Sequence, residues 1–339
     1  MLARQVEDGR LNYADALRVL AVAAVVLLHV SVGWLWMAPK GSPEESVLLA
    51  WDALSRWCVP LFIMLSGMFL LDPDHPMPPG TWGRHLLRVA VPLLAWGSFY
   101  ALITYGRVDG RFTLAGVLDA LGHVLRADTH YHLWYLYMIF GLYLITPVLR
   151  AFLRGADRGG VEWFLLLFLA FGLVLPLLAQ RFPALPLPKW LGLVGVPTGY
   201  MGYYVLGYYL RVFDFSPGFE GGIYLLGCAG LGYTLWRGGA VFGYLTPNVA
   251  FTAAAIFLLF RRLSGRMGDH RLVRAAADRS FGIYLSHPLF ILVLHHFRLT
   301  TLAFPPLLSV PVLTLAVFSA SFALSWLLGK LPAVGRYLA

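Results

Sequence analysis

The chain is a succession of long apolar runs separated by short polar breaks. The runs fall near 14–36, 47–71, 85–105, 131–149, 162–180, 197–213, 219–237, 241–263, 280–298 and 307–329. Most are close to the roughly 20 residues that a helix needs to cross a bilayer. Read as helices, they predict an all-α, polytopic transmembrane bundle of about ten helices, forming one integral-membrane domain over residues 1–339. No low-complexity tract, soluble insertion or clear internal repeat interrupts the series. The missing repeat argues against an inverted-repeat transporter architecture.

Composition agrees with the pattern. The 339 residues are 59% hydrophobic and only 13% charged, with a mean hydropathy of +0.71, which excludes a soluble globular protein. A net charge of +9 reads as basic loops rather than as a nucleic-acid surface. Lys and Arg in alternate loops divide 16 against 8 once the intrahelical Arg18 and Arg56 are set aside. The richer side is expected to be cytoplasmic. It holds both termini and the Arg261–Arg279 loop, whose charge suits either anionic lipid or the phosphates of a nucleotide donor. The first run is expected to be a retained span, because mixed charge precedes it and no clear cleavage site follows. Cys58 and Cys228 lie in apolar runs and form neither a disulfide framework nor a metal site.

Candidate chemistry is concentrated in the first run, DALRVLAVAAVVLLHV, Asp15 to Val30. Arg18 stands near its start and His29 deep inside it. An eleven-residue step is about three helical turns, so both project from nearly one face, about 16 Å apart along the axis. That separation is too long for a salt bridge and suits bracketing one elongated ligand. Ionisable groups inside a membrane are costly and point to function. The plainer readings are an arginine snorkelling to headgroups and a histidine bonding a neighbouring helix. A proton-coupled transporter of a small polar solute is the alternative that also uses intramembrane Arg and His.

The Asp15, Arg18 and His29 arrangement resembles the signature of the acyltransferase-3 family of integral-membrane O-acyltransferases. Other strings extend the likeness in order. VPLFIMLSGMFLL, Val59 to Leu71, is similar to the family's second span. GRHLLRVAVP, Gly83 to Pro92, is similar to its Arg-x-x-Arg, apolar, Pro pattern, with Arg88 and Pro92 matching. Three positions before Arg88 stands His85, and the arginine is Arg84, one step earlier. His132 and Trp134 resemble the family's His-x-Trp string, and GYMGYYVLGYYLR, Gly199 to Arg211, resembles its Phe/Tyr-rich span. SFGIYLSHPLF, Ser280 to Phe290, is similar to its Ser-x-x-x-Tyr-Leu-x-His string and brings in His287. Interfacial aromatic enrichment accounts for Tyr135 and Tyr143 without a catalytic role.

The resemblance implies transfer of an acyl group, expected to be acetyl, from cytoplasmic acyl-coenzyme A to a hydroxyl of an exported or lipid-linked glycan. Acetyl-CoA enters as co-substrate and no metal is expected. The setting is the bacterial inner membrane, with lipid around the protein and no nucleic-acid partner. His29 is the expected base, because an imidazole suits that task near neutral pH. Arg18 is the donor-side cation, on coenzyme A phosphates or near the thioester, and Asp15 orients it. Arg88, Arg84 and His287 are expected on the donor, and His132, Trp134 and Tyr137 on the acceptor.

Overall fold

A computed structural model describes residues 11–108, 111–182, 199–332 and 335–338. The helices are α1 (Asn12–Gly33), α2 (Pro43–Ala53), α3 (Cys58–Leu70), α4 (Pro79–Tyr105), α5 (Leu114–Leu125), α6 (Trp134–Gly155), α7 (Arg158–Leu167) and α8 (Leu175–Arg181). They continue as α9 (Met201–Val212), α10 (Pro217–Arg237), α11 (Pro247–Arg262), α12 (Arg271–Asp278), α13 (Ser280–His296), α14 (Pro306–Leu328) and α15 (Gly335–Leu338). A two-residue ladder, Arg107–Val108 against Arg111–Phe112, is the exception to the helical plan among the described residues. Among the described residues six stretches are long and apolar enough to cross a membrane: Asn12–Met37, Pro43–Leu70, Gly80–Tyr105, Trp134–Gly155, Arg158–Arg181 and Pro306–Leu328.

Each of the apolar runs contains a helix, and the departures have local causes. The second run breaks between α2 and α3 at Leu54–Trp57. Pro60 cannot donate to the carbonyl four residues back and its ring crowds that carbonyl, so a continuous helix is disfavoured there. In the fifth run a π-helical segment, Phe168–Val174, joins α7 to α8. Three helices lie outside the expected runs. The short α15 follows the last run and α12 sits in the basic loop; α5 is amphipathic, with Leu114, Leu118 and Leu125 exposed and the Thr113 hydroxyl accepting from the Gly116 N–H at 3.1 Å. An exposed leucine stripe of this kind suits a helix lying in a membrane interface. Arg4, Arg10, Lys189 and the start of the sixth run lie outside the described residues.

Helix α1 is the hub. It packs against α2, α3, α11, α12, α13 and α14, and it is apolar almost all round, as a helix buried within a bundle must be. Helices α3 and α9 meet backbone to backbone. A Cβ at Gly67 would lie 1.8 Å from the Tyr204 carbonyl oxygen, and one at Gly207 would lie 1.9 Å from that of Met64. Small residues permit such an approach in membrane bundles. Much of the basic bias proves structural. Arg150 Nη1 donates to the Leu70 carbonyl at 2.8 Å, and Arg211 Nη1 donates to Met68 at 2.6 Å. Arg261 Nη1 donates to Leu210 and Phe213, each at 2.6 Å. These guanidinium groups satisfy carbonyls left over at the C-terminal ends of α3 and α9.

Candidate active site

A cavity of about 420 Å³ runs alongside α1, and both Arg18 and His29 line it. The eleven-residue step thus places the two on one cavity wall, as the helical period requires. Helix α3 contributes Phe62, Ser66 and Phe69, α4 contributes His85 and Arg88, and α6 contributes Trp134, Tyr135 and Tyr143. His132 enters from the turn ahead of α6, and Asp278, Ser280 and Tyr284 come from the α12–α13 corner.

At one end stand the cations. Arg18 Nη1 donates to Asp15 Oδ1 at 2.9 Å, one turn back, and a third of the arginine side chain stays accessible. The guanidinium lies over the Phe69 ring, 4.6 Å from its centroid, a cation–π contact that holds it flat against α3. Arg88 is exposed and borders the same space. Arg84 does not reach it: this exposed side chain donates to Thr81 Oγ1 at 2.8 Å, outside the cavity lining. His85 takes the lining position instead.

The other end is a cluster of imidazoles whose protons can be assigned. His287 Nδ1 lies 2.7 Å from the Tyr284 carbonyl oxygen. That carbonyl lacks its helical partner because residue 288 is proline, which has no N–H to donate four residues back. A carbonyl only accepts, so His287 Nδ1 carries the proton and its Nε2 is an acceptor. His287 Nε2 lies 2.9 Å from His29 Nδ1, and His29 must therefore donate from Nδ1. The lone pair of His29 is left on Nε2. The same device recurs in α6: Pro147 releases the Tyr143 carbonyl, which accepts from Trp82 Nε1 at 2.9 Å.

His287 is fully buried and is not part of the cavity wall. It is hydrogen-bonded to the site through His29, although the sequence places it on the donor. Nδ1 of His132 is 3.0 Å from that of His130, and the His132 ring centroid is 5.4 Å from that of His287. Burial pushes the His130 imidazole, in the turn before α6, down to about 4, which keeps it neutral near pH 7. Tyr284 Oη donates to the His132 carbonyl at 2.6 Å and ties that turn to α13. Trp134 stacks on Tyr244 with centroids 5.7 Å apart and forms an aromatic wall beside the imidazoles. Tyr137 lies apart from the cavity and donates to the Val124 carbonyl at 2.5 Å, fastening α6 to α5. Tyr131, 54% exposed, has its ring centroid 5.0 Å from that of His29.

Sequence reasoning set aside Tyr135 and Tyr143 and did not weigh His130 or Tyr284. The histidine spacing and the Tyr-x-x-His-Pro order were the available signals for the last two. Among the described residues no group of three or more His, Cys, Asp or Glu is placed to hold a metal ion.

An apolar helical bundle with guanidinium and imidazole groups on one internal cavity defines a multi-pass membrane protein built around a buried polar site. The chain belongs to the acyltransferase-3 family, whose acyltransferase-domain model matches residues 11–330, all but the ends of the sequence. It is therefore a membrane acyltransferase. No curated protein and no solved structure matches the chain.

Proposed function

We propose that the protein moves an acetyl group from cytoplasmic acetyl-CoA to a hydroxyl of an exported or lipid-linked glycan, in the bacterial inner membrane. One observation carries this reading: Arg18 and His29 stand on the same wall of one cavity, with cations at one end and a base-competent imidazole at the other. In this reading about ten spans form one domain with both termini in the cytoplasm.

Arg18 and Arg88 hold the donor's phosphates, since arginine forks match phosphate geometry, and Asp15 keeps Arg18 in place. Arg84 serves this end only as added positive charge near the mouth. Trp134 offers its ring to a sugar face. His29 Nε2 takes the proton of the acceptor hydroxyl as its oxygen attacks the thioester carbonyl carbon. The C–O bond forms, the C–S bond breaks with its electron pair going to sulfur, and the His29 imidazolium returns the proton to the thiolate. His287 fixes the His29 tautomer throughout.

The test is incubation of purified protein with radiolabelled acetyl-CoA and a glycan acceptor. Label appearing on the glycan, or released by slow hydrolysis, supports the reading. Solute flux across proteoliposomes with no label transferred would instead make the protein a transporter.

A further inference from the structure

The proposed reaction needs a base, a donor cradle and something to receive the negative charge that develops on the thioester oxygen. His29 supplies the first and the arginine end the second. The third is written in an unfilled bond. His132 is 1% exposed, and its Nε2 is buried with no hydrogen-bond partner. Several other buried polar atoms share that condition, but among the described residues His132 is the one of them that lines the cavity. Burying a polar group without a partner is costly, and a substrate atom in the cavity would supply the missing one.

The neighbouring imidazole limits where the proton on that ring can sit. His130 and His132 face each other through their Nδ1 atoms at 3.0 Å. Two lone pairs cannot bond, so one ring donates. In the arrangement where His132 Nδ1 accepts from His130 Nδ1–H, the His132 proton sits on Nε2, the nitrogen that has no partner. The two imidazoles beside His287 are then set in opposite senses: His29 presents a lone pair and His132 an N–H. Both are held by the turn and helix that Tyr284 joins.

We propose that His132, which the sequence alone places with the acceptor, is a catalytic residue that donates from Nε2 to the thioester oxygen as it becomes an oxyanion. The inference rests on the acyl-transfer reading above. As the acceptor oxygen attacks, the carbonyl π pair moves onto oxygen and is met by His132 Nε2–H. When the C–S bond breaks, that pair re-forms the carbonyl of the ester. His132 keeps its proton throughout, so its part is electrostatic, and preorganised donors of this kind commonly supply the largest single contribution to acyl transfer.

The experiment compares kcat and acceptor KM of the wild type, His132→Ala and His132→Gln, with acetyl-CoA binding measured on each to confirm that it is folded. Glutamine keeps an N–H donor near the position of Nε2 but cannot act as a base. His132→Ala should lower kcat by about 10²–10³-fold with acceptor KM little changed, and His132→Gln should recover at least roughly tenfold of that loss. Equal loss in both variants would overturn the proposal in favour of a basic or packing role. A rise in acceptor KM with kcat retained would overturn it in favour of acceptor binding. Loss of acetyl-CoA binding in both variants would likewise overturn it, making His132 a structural residue. Absence of acyl transfer by the wild type would remove the parent reading itself, which a failure confined to the variants would not.

Discussion

The two ends of the cavity are built on different principles. At the guanidinium end, Arg18 is one-third accessible, paired with Asp15 and laid over the Phe69 ring, while Arg88 is exposed. At the imidazole end the tautomer of the base traces to a backbone carbonyl: Tyr284 fixes His287, and His287 fixes His29. Accessible cations suit a ligand that must arrive and leave, because charge acts over distance and tolerates misplacement. Fixed tautomers suit bond-making, because a base with its proton on the wrong nitrogen is no base. The comparison therefore assigns binding to one end and chemistry to the other, and each half can be broken separately.

The largest effect is expected at His29. Replacing it with Ala should lower turnover by roughly 10²–10⁴-fold while acetyl-CoA still binds; near-normal turnover would make it a packing residue. His287→Ala should follow, at about 10²-fold in kcat, the lower end of the range for a base, because His29 keeps its ring but loses its tautomer. His287→Gln, which retains an acceptor near Nε2, should lose less. A change in donor affinity rather than kcat would return His287 to the donor side, where the sequence puts it.

Next comes the acceptor wall. Trp134→Ala should raise acceptor KM by about fivefold to tenfold, the worth of one aromatic contact of roughly 1–1.4 kcal/mol, with donor binding intact. Equal loss of donor and acceptor binding in folded protein would end the division into two half-sites. The smallest effect is expected at Arg84, whose exposed guanidinium bonds Thr81. Arg84→Ala should change donor affinity by less than about twofold, consistent with surface substitutions costing within about 0.5 kcal/mol. If it matched Arg88→Ala in a donor titration, the lining of the cavity by His85 would be incidental.

Much of this was legible in the chain. Arg18 and His29 share a wall because a helix is periodic, and that follows from counting eleven positions. Gly67 and Gly207 are plain in the sequence as small residues, but that they let α3 and α9 touch at Tyr204 and Met64 is not. Roles reached through tertiary contact were hidden. His287 faces His29 across 258 sequence positions, and nothing in its own run says that it stops short of the cavity. Arg84 and Arg88 share a helical face by spacing, yet Thr81 draws one away. The helix α5 was missed because its leucine stripe is short and half polar, so a search for long apolar runs passes over it. The basic bias, read as topology alone, also serves to cap helix ends through Arg150, Arg211 and Arg261.

The most direct test of the division is donor affinity and turnover measured together on Arg18→Ala, Arg18→Lys and His29→Ala, each confirmed to be folded and inserted. Arg18→Ala should raise the acetyl-CoA Kd and lower turnover. Arg18→Lys should restore part of the affinity, since an ammonium keeps the charge without the planar fork. His29→Ala should leave Kd nearly unchanged while turnover collapses. If instead His29→Ala weakened donor binding as much as Arg18→Ala did, or Arg18→Ala bound acetyl-CoA normally, the separation of a binding end from a chemical end would be wrong.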